Sequence, residues 1–323
     1  PAPRHNGRDA VIYFASLFAA KTLLGSGTPS VESYYNAVSG KYGLVELLQR
    51  YGDLKLPPIE MIDTRKVIQK DRSKVMLSPL LVEAMNEVLA RDKQIILFQN
   101  RRGYAPYQVC SVCGWIPQCK YCDVSLTYHK LTNKLVCHYC GTTYPPVHAC
   151  AACGSDKFVQ RNFGTEKIEE QLQETFPDAK VARMDIDTVR GKNAHDVLIQ
   201  QFEKKRIDIL VGTQMVVKGL DFDNVDLVGI LDADGLLHFA DFRVNERAFQ
   251  LMEQVSGRAG RKGEQGTVLI QAVQVKHPVI AMVQEHDFKQ FYTFEIAGRK
   301  EFFYPPYSRI VQLTLKHKDK GII

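Results

Sequence analysis

The chain has 323 residues, 45% of them hydrophobic, enough to bury at least one large core and to divide into two or three units. Lys and Arg outnumber Asp and Glu by 42 to 36, a mild basic bias that suits a polyanionic partner, while every apolar run is strand-sized, well short of the roughly 20 residues of a membrane span. Pro1–Asp9 is polar with no apolar signal core, so a folded, cytoplasmic protein with no membrane partner is the expectation.

In chain order, the first landmark is a tight Gly-rich exit, Leu23–Ser30 (LLGSGTPS). It begins like GxGxxG but has Ser30 at the third Gly position, and no acidic residue closes a following strand at the expected distance, which argues against a dinucleotide site. No GxxxxGK[ST] loop and no Asp-Glu dipeptide occur, so both the phosphate cradle and the usual carboxylate pair for Mg²⁺ are missing. Gln94–Phe98 (QIILF) reads as a buried strand. After a cysteine-rich window come a helix over Thr165–Phe176, opening on a Thr cap and early acidic residues, and a strand over Lys180–Met184. A helix over Asn193–Lys205, strands over Ile207–Gly212 and Val225–Leu231, a helix over Asn245–Val255 and a strand over Thr267–Ala272 follow. Strands alternating with helices of this size predict an α/β fold with a parallel sheet of βαβ units.

All eight cysteines fall in one window as four CxxC pairs: Cys110 with Cys113, Cys119 with Cys122, Cys137 with Cys140, and Cys150 with Cys153. Two thiolates two residues apart can grip one tetrahedral metal from a tight turn, and two such knuckles close a four-sulfur structural zinc site, so four knuckles predict two zinc ions. Gly114, Gly141 and Gly154 each follow the second Cys of a pair, where a knuckle needs positive φ. Disulfides belong to small secreted domains, and an iron–sulfur cluster fits regular CxxC-Gly knuckles less well. Full sulfur coordination leaves no open position, so the metal stabilises rather than catalyses, with roughly 10–16 kcal/mol of apparent binding energy per ion in small modules. Spacing alone leaves the pairing of knuckles open. His129, His138 and His148 lie among the cysteines but have no vacancy to fill.

Gln254–Arg261 (QVSGRAGR) sets two arginines, Arg258 and Arg261, around small residues with Gln254 nearby, a pattern able to meet one anion such as the γ-phosphate of ATP. Arg101, Arg102, Tyr104 and Tyr107 form a basic-aromatic cluster suited to single-stranded DNA, with a solvated strand exit as the plain alternative. Asp232 and Asp234 follow a strand end, where capping or an ion pair with Arg243 or Arg247 is favoured over a catalytic pair. Trp115 is read as packing over the metal module or stacking on a partner.

With these segments in view, the sequence resembles the superfamily-two helicases, and its full motif set is similar to that of the primosomal replication-restart helicases. The match comprises PRHNGRDA (Pro3–Ala10), GSGTPS (Gly25–Ser30), NRRGYAP (Asn100–Pro106), the cysteine insert, RMDIDT (Arg183–Thr188) and GTQMVVKGLDF (Gly212–Phe222). It continues with LDAD (Leu231–Asp234), DFRVNER (Asp241–Arg247), QVSGRAGR and YPPYS (Tyr304–Ser308). The resemblance implies a RecA-like helicase lobe over 77–108 and 155–275, carrying an inserted two-zinc module at 109–154. Residues 1–76 would be the tail of a first lobe and a linker, and 276–323 the start of a C-terminal α+β domain.

It further implies that Gly25–Ser30 links ATP hydrolysis to strand movement, that Gly219 and Asp221 lie near the nucleotide, and that Thr213 and Lys218 contact the DNA strand. Arg258 and Arg261 would face ATP, Arg261 as the finger. The outer knuckles, Cys110, Cys113, Cys150 and Cys153, would hold one zinc and Cys119, Cys122, Cys137 and Cys140 the other. The family's Walker motifs and N-terminal DNA-binding region are absent and the chain opens at Pro1, so it is expected to be a C-terminal part, inactive alone, of a bacterial ATP- and Mg²⁺-dependent 3′–5′ DNA helicase. Gly27 stands where the family more often has Ala, a change expected to be silent. The expected partners are forked and single-stranded DNA, single-stranded DNA-binding protein and primosome proteins. The alternatives are a zinc-ribbon binding module on a non-motor α/β scaffold, and a zinc hydrolase with an open metal site.

Overall fold

The computed structural model describes residues 6–47, 56–70, 76–99, 107–121, 125–129, 134–137, 140–161, 165–185, 194–216, 222–238, 241–260 and 266–311. Helices α1 (Gly7–Leu17) and α2 (Val31–Val38) come first, capped by the side chains of Asn6 and Ser30. Strand β1 (Ile59–Asp63), α3 (Arg65–Lys70), α4 (Pro79–Ala90) and β2 (Gln94–Phe98) follow. Next is a cysteine-rich insert with β3 (Tyr107–Cys110), β4 (Thr127–His129), β5 (Lys134–Val136), β6 (Thr143–Tyr144) and β7 (Phe158–Arg161). The chain then runs through α5 (Thr165–Thr175), β8 (Val181–Met184), α6 (Ala194–Glu203), β9 (Ile209–Gly212) and β10 (Val225–Ile230). It continues with α7 (Ala233–Leu237), α8 (Val244–Ser256), β11 (Thr267–Ala272), α9 (Pro278–Gln284) and α10 (Phe288–Glu301).

Six strands form one sheet in the order β1-β11-β10-β2-β9-β8, every pair parallel. The sheet is apolar on both sides because helices cover both. Ile95 and Leu97 of β2 point into a core with Leu81, Met85 and Val88 of α4 and Ile168 and Leu172 of α5. Ile96 and Phe98 point the other way, toward Phe202 of α6, Phe249 of α8, Val279 of α9 and Phe291 of α10. The period-2 alternation therefore persists but appears as a continuous hydrophobic run, as expected for a doubly covered parallel sheet. Phe249 and Phe291 stack at 4.3 Å between centroids, tying α8 to α10.

The α/β parallel sheet matches expectation, with element bounds displaced by one or two residues. Strand β9 starts at Ile209 rather than Ile207, because the Ile207 carbonyl instead accepts Gln94 Nε2 at 2.7 Å. Thr165 lies inside α5 and its hydroxyl donates to Asp185 Oδ2 at 2.6 Å. Strand β1 was not anticipated: it pairs with β11 at the edge of the sheet, with alternate residues partly exposed, so its apolar signal is short.

The insert leaves β2 at the carboxyl end of the sheet and returns to α5. Its antiparallel stem, β3 with β7, carries a three-stranded antiparallel sheet in the order β4-β5-β6. Among the described residues, no helix is long and apolar enough to cross a membrane.

Candidate functional site

Three of the CxxC turns share one hydrogen-bond pattern. In the first, the Cys110 N–H donates to the Trp115 carbonyl at 2.8 Å and the Gly114 N–H to the Cys110 carbonyl at 2.9 Å. The same two bonds recur at Cys137 with Thr142 and Gly141, and at Cys150 with Ser155 and Gly154. The three glycines have φ of +82°, +76° and +73°, the left-handed conformation that lets each turn close. At Gly114 a side chain would also collide, since an added Cβ would sit 2.8 Å from Val273 Cγ1.

These turns bring the sulfurs of Cys110, Cys113, Cys150 and Cys153 within 4.8 Å of one another, with Cys110 to Cys153 at 3.6 Å and Cys113 to Cys150 at 3.5 Å. Cys119, Cys137 and Cys140 form a second group, with Cys119 to Cys140 at 3.7 Å; Cys122 lies outside the described residues. A tetrahedral zinc with sulfurs at ~2.3 Å has S···S edges of about 3.8 Å, so both groups are the right size for one ion. Burial pushes the Cys110 thiol up, yet the N–H groups of Cys113 and Val112 outweigh it and bring the thiol to about 7. Burial pushes Cys113 up to about 12. Four neighbouring thiols cannot all ionise without a cation among them, and a divalent ion resolves that conflict. The two clusters could hold two zinc ions. In the second, Tyr144 Oη lies 3.2 Å from Cys119 Sγ and Thr142 Oγ1 3.0 Å from Cys140 Sγ, hydroxyls placed to donate to thiolate.

The module sits on the carboxyl edge of the sheet. Gln274 Nε2 donates to the Gly114 carbonyl at 2.5 Å, and Ser125 Oγ meets His238 Nδ1 at 2.7 Å. Asp234, fully buried, accepts the N–H groups of Val273 and Gln274 at 2.7 and 2.9 Å, fixing the strand exit on which the module rests. Asp232 caps α7 by accepting the Gly235 N–H at 3.2 Å. Asp232 is thus a helix cap and Asp234 a brace for the strand exit, while Arg243 bonds to Glu32 and Arg247 to Asp241. Trp115 packs edge-on to Phe158 of the stem, and His148 is exposed.

Thr213, buried, stands at the same carboxyl edge directly after β9 and begins a short 3-10 turn. The opposite edge carries the arginine motif. Helix α8 runs back across the sheet and ends at Ser256; Gly260 then donates its N–H to the carbonyl of Val225, the first residue of β10, at 2.9 Å. Gly266 makes that approach possible, because an added Cβ would stand 2.5 Å from Gly260 N. Arg258 is half-buried at this turn, and Gln254 is exposed with its Nε2 3.5 Å from Thr28 Oγ1 of the GSGTPS segment. Arg101, Arg102, Tyr104, Lys218, Gly219, Asp221 and Arg261 lie outside the described residues.

Some residues at this junction carry no signal in sequence. Gln250 Nε2 donates to the carbonyls of Thr28 and Pro29 at 3.2 and 3.3 Å, and the Val31 N–H donates to Glu246 Oε1 at 3.1 Å. Partners more than 200 positions apart leave no periodicity to detect; the DFRVNER run that contains Glu246 was the available hint.

Residues 119–145 match the family described as the PriA DNA helicase Cys-rich region (CRR) domain, and residues 157–263 match the helicase conserved C-terminal domain. The chain is 42% identical over 317 residues to the replication restart protein PriA of Bacillus subtilis, covering 98% of this chain and 39% of that protein. It is 40% identical to that of Chlamydia muridarum, covering 96% and 41%, and 39% identical to that of Rickettsia felis, covering 99% and 49%. A structure of RecG bound to a three-way DNA junction aligns with a TM-score of 0.44 at 14% identity, covering 89% of this chain and 27% of that one. The chain spans about two fifths of the length of the first two relatives and about half of the third. With its cysteine-rich insert and its helicase C-terminal region both matched, the chain belongs to the family of the replication restart protein PriA.

Proposed function

We propose that the chain forms the arginine-bearing lobe and zinc module of an ATP- and Mg²⁺-dependent 3′–5′ DNA helicase that acts at stalled replication forks and in primosome assembly. Gln254, Arg258 and Arg261 face the triphosphate, with Arg261 as the finger that meets transition-state charge. Gly219 and Asp221 line the nucleotide, while Thr213, Lys218, Arg101, Arg102 and Tyr104 contact the DNA strand. Cys110, Cys113, Cys150 and Cys153 hold one structural zinc, and Cys119, Cys122, Cys137 and Cys140 the other. Forked and single-stranded DNA, single-stranded DNA-binding protein and primosome proteins are the partners.

The observation that carries this reading is the bonding of α8 to the GSGTPS segment through Gln250 and Gln254. The helix that ends in Gln254–Ser256 and leads into Arg258 touches the segment that the motif pattern assigns to coupling hydrolysis with movement. The separation of Thr213 and Arg258 onto opposite edges of the sheet also supports it, because strand and nucleotide then have distinct faces.

This sequence contains no GxxxxGK[ST] loop, so the chain by itself is expected to show no DNA-stimulated ATP turnover. In the full-length protein, Arg258→Ala and Arg261→Ala are each expected to lower kcat by about 10²-fold or more, the scale of a lost transition-state charge contact. A zinc-ribbon binding module on an inert scaffold would lose nothing in either variant.

A further inference from the structure

The carboxylate of Glu246, buried in α8, bonds with its two oxygens to two other parts of the chain. Oε1 accepts the Val31 N–H at 3.1 Å, at the first residue of α2, and Oε2 accepts Arg299 Nη2 of α10 at 2.5 Å. Arg299 is 1% exposed, and its other nitrogens reach Glu295 Oε1 at 3.0 Å, the Pro305 carbonyl at 3.2 Å and Glu32 Oε1 at 3.3 Å. Glu32, the second residue of α2, also takes Arg243 Nη2 at 2.8 Å. Val31 itself is fully buried in the core that holds Phe249 and Phe291. Helix α2 is therefore bonded to α8 and α10, and one guanidinium carries bonds to carboxylates of all three.

A buried guanidinium is stable only with its charge and N–H groups met, and its planar fork admits few arrangements of partners. Moving α2 relative to α8 would take the Val31 N–H from the buried Glu246 carboxylate and Arg243 from the half-buried Glu32. The segment just before α2, Thr28–Ser30, is consequently fixed on the helix that bears Gln254 and leads into the turn of Arg258.

We infer that Glu246 and Arg299 are positioning residues for nucleotide turnover: α10, which lies beyond the last strand of the sheet, orients the Glu246 carboxylate, and that carboxylate sets Thr28–Val31 on α8, the helix that leads into Arg258. The functional half of this inference rests on the motor reading above. A displacement of about 1 Å at a reacting site can cost about 10²-fold in rate, so a joint of this kind acts on kcat without touching ATP.

Two measurements separate the joint from the reading it rests on. In the 323-residue chain, Glu246→Ala is expected to raise amide hydrogen exchange over residues 31–34 roughly tenfold, whereas Glu246→Gln, which keeps an acceptor for the Val31 N–H, stays within about threefold. In the full-length protein, Glu246→Ala is expected to lower kcat of DNA-dependent ATP hydrolysis about tenfold with KM for ATP within about twofold, and Glu246→Gln recovers most of the loss. If Glu246→Ala does not fold, Gln250→Ala, which cuts the bonds to Thr28 and Pro29, reads the same two quantities. Unchanged exchange, or faster exchange with kcat at the parent level, overturns the inference. A parent full-length protein without ATP turnover overturns the motor reading, and the exchange data still judge the joint.

Discussion

The side-chain amide of Gln274 donates to the main-chain carbonyl of Gly114 at 2.5 Å, so the exit of the sheet's β11 strand and the first metal knuckle are directly joined. Gly114 needs its missing side chain twice over, for φ of +82° and for room beside Val273. Gly154→Ala meets only the first demand, since nothing lies within 4 Å of an added Cβ there. With zinc held in excess, Gly114→Ala is expected to destabilise the module by about 2–4 kcal/mol and Gly154→Ala by about 1 kcal/mol. Trp115, the single tryptophan, stands beside Gly114, so its fluorescence in urea titrations reads this difference locally.

The sulfur groups lead to a metal count. Elemental analysis of the purified chain is expected to find two zinc ions, and Cys150→Ser to retain one. On chelation, the Trp115 signal is expected to change before the far-ultraviolet dichroism of the sheet does, because the metal supplies the folding energy of the module alone. A simultaneous loss of both signals would contradict that division.

Two histidines at the module's seat should make the fold acid-sensitive. Burial lowers His238 to about 3 and His277 to about 4, against 6.5 for a free imidazole. Between 6.5 and those values the unfolded chain binds protons that the folded chain refuses, so stability is fully present above 6.5 and falls as the pH drops toward 4. His277 caps α9 by accepting the Val279 N–H, a task Asn can perform. His277→Asn is expected to shrink the stability difference between about pH 7 and pH 5 by about 2 kcal/mol, measured by denaturation at each pH.

Gln271 is buried in the middle of the fold and fully bonded: Oε1 accepts the Ser78 N–H at 2.9 Å, and Nε2 donates to the carbonyls of Met76 and Leu231 at 2.9 and 3.2 Å. Gln271→Leu, similar in size, leaves those backbone groups without partners and is expected to cost about 2–4 kcal/mol in urea unfolding. A change under about 0.5 kcal/mol would mean that water replaces the amide.

The central strands were legible in sequence because β2, β9 and β10 are buried on both faces and therefore spell continuous apolar runs. Three of the four knuckles were equally legible, since CxxC-Gly encodes both candidate ligands and turn within a few residues. Strand β1, IEMID, was not: at the sheet's edge it keeps Glu60 exposed, and five residues of mixed character resemble a loop. The Glu246–Arg299 joint was invisible for a different reason. Its members are ordinary charged residues on three helices, and only the packing of those helices turns solvated charges into a buried cluster.

The place of the cysteine module between β2 and α5 bears on how the chain assembles. Strand β2 finds its neighbours, β9 and β10, only among residues made more than 100 positions later. All eight cysteines lie between β2 and α5, so the candidate metal ligands are close in sequence, and the stem, β3 with β7, brings Tyr107 opposite Arg161. Metal capture there would shorten the loop that must close before the centre of the sheet can zip, and so reduce the entropic cost of that closure. Growth in zinc-poor medium should accordingly leave nascent chains with QIILF uncovered and prone to aggregate, even though the sheet itself holds no metal.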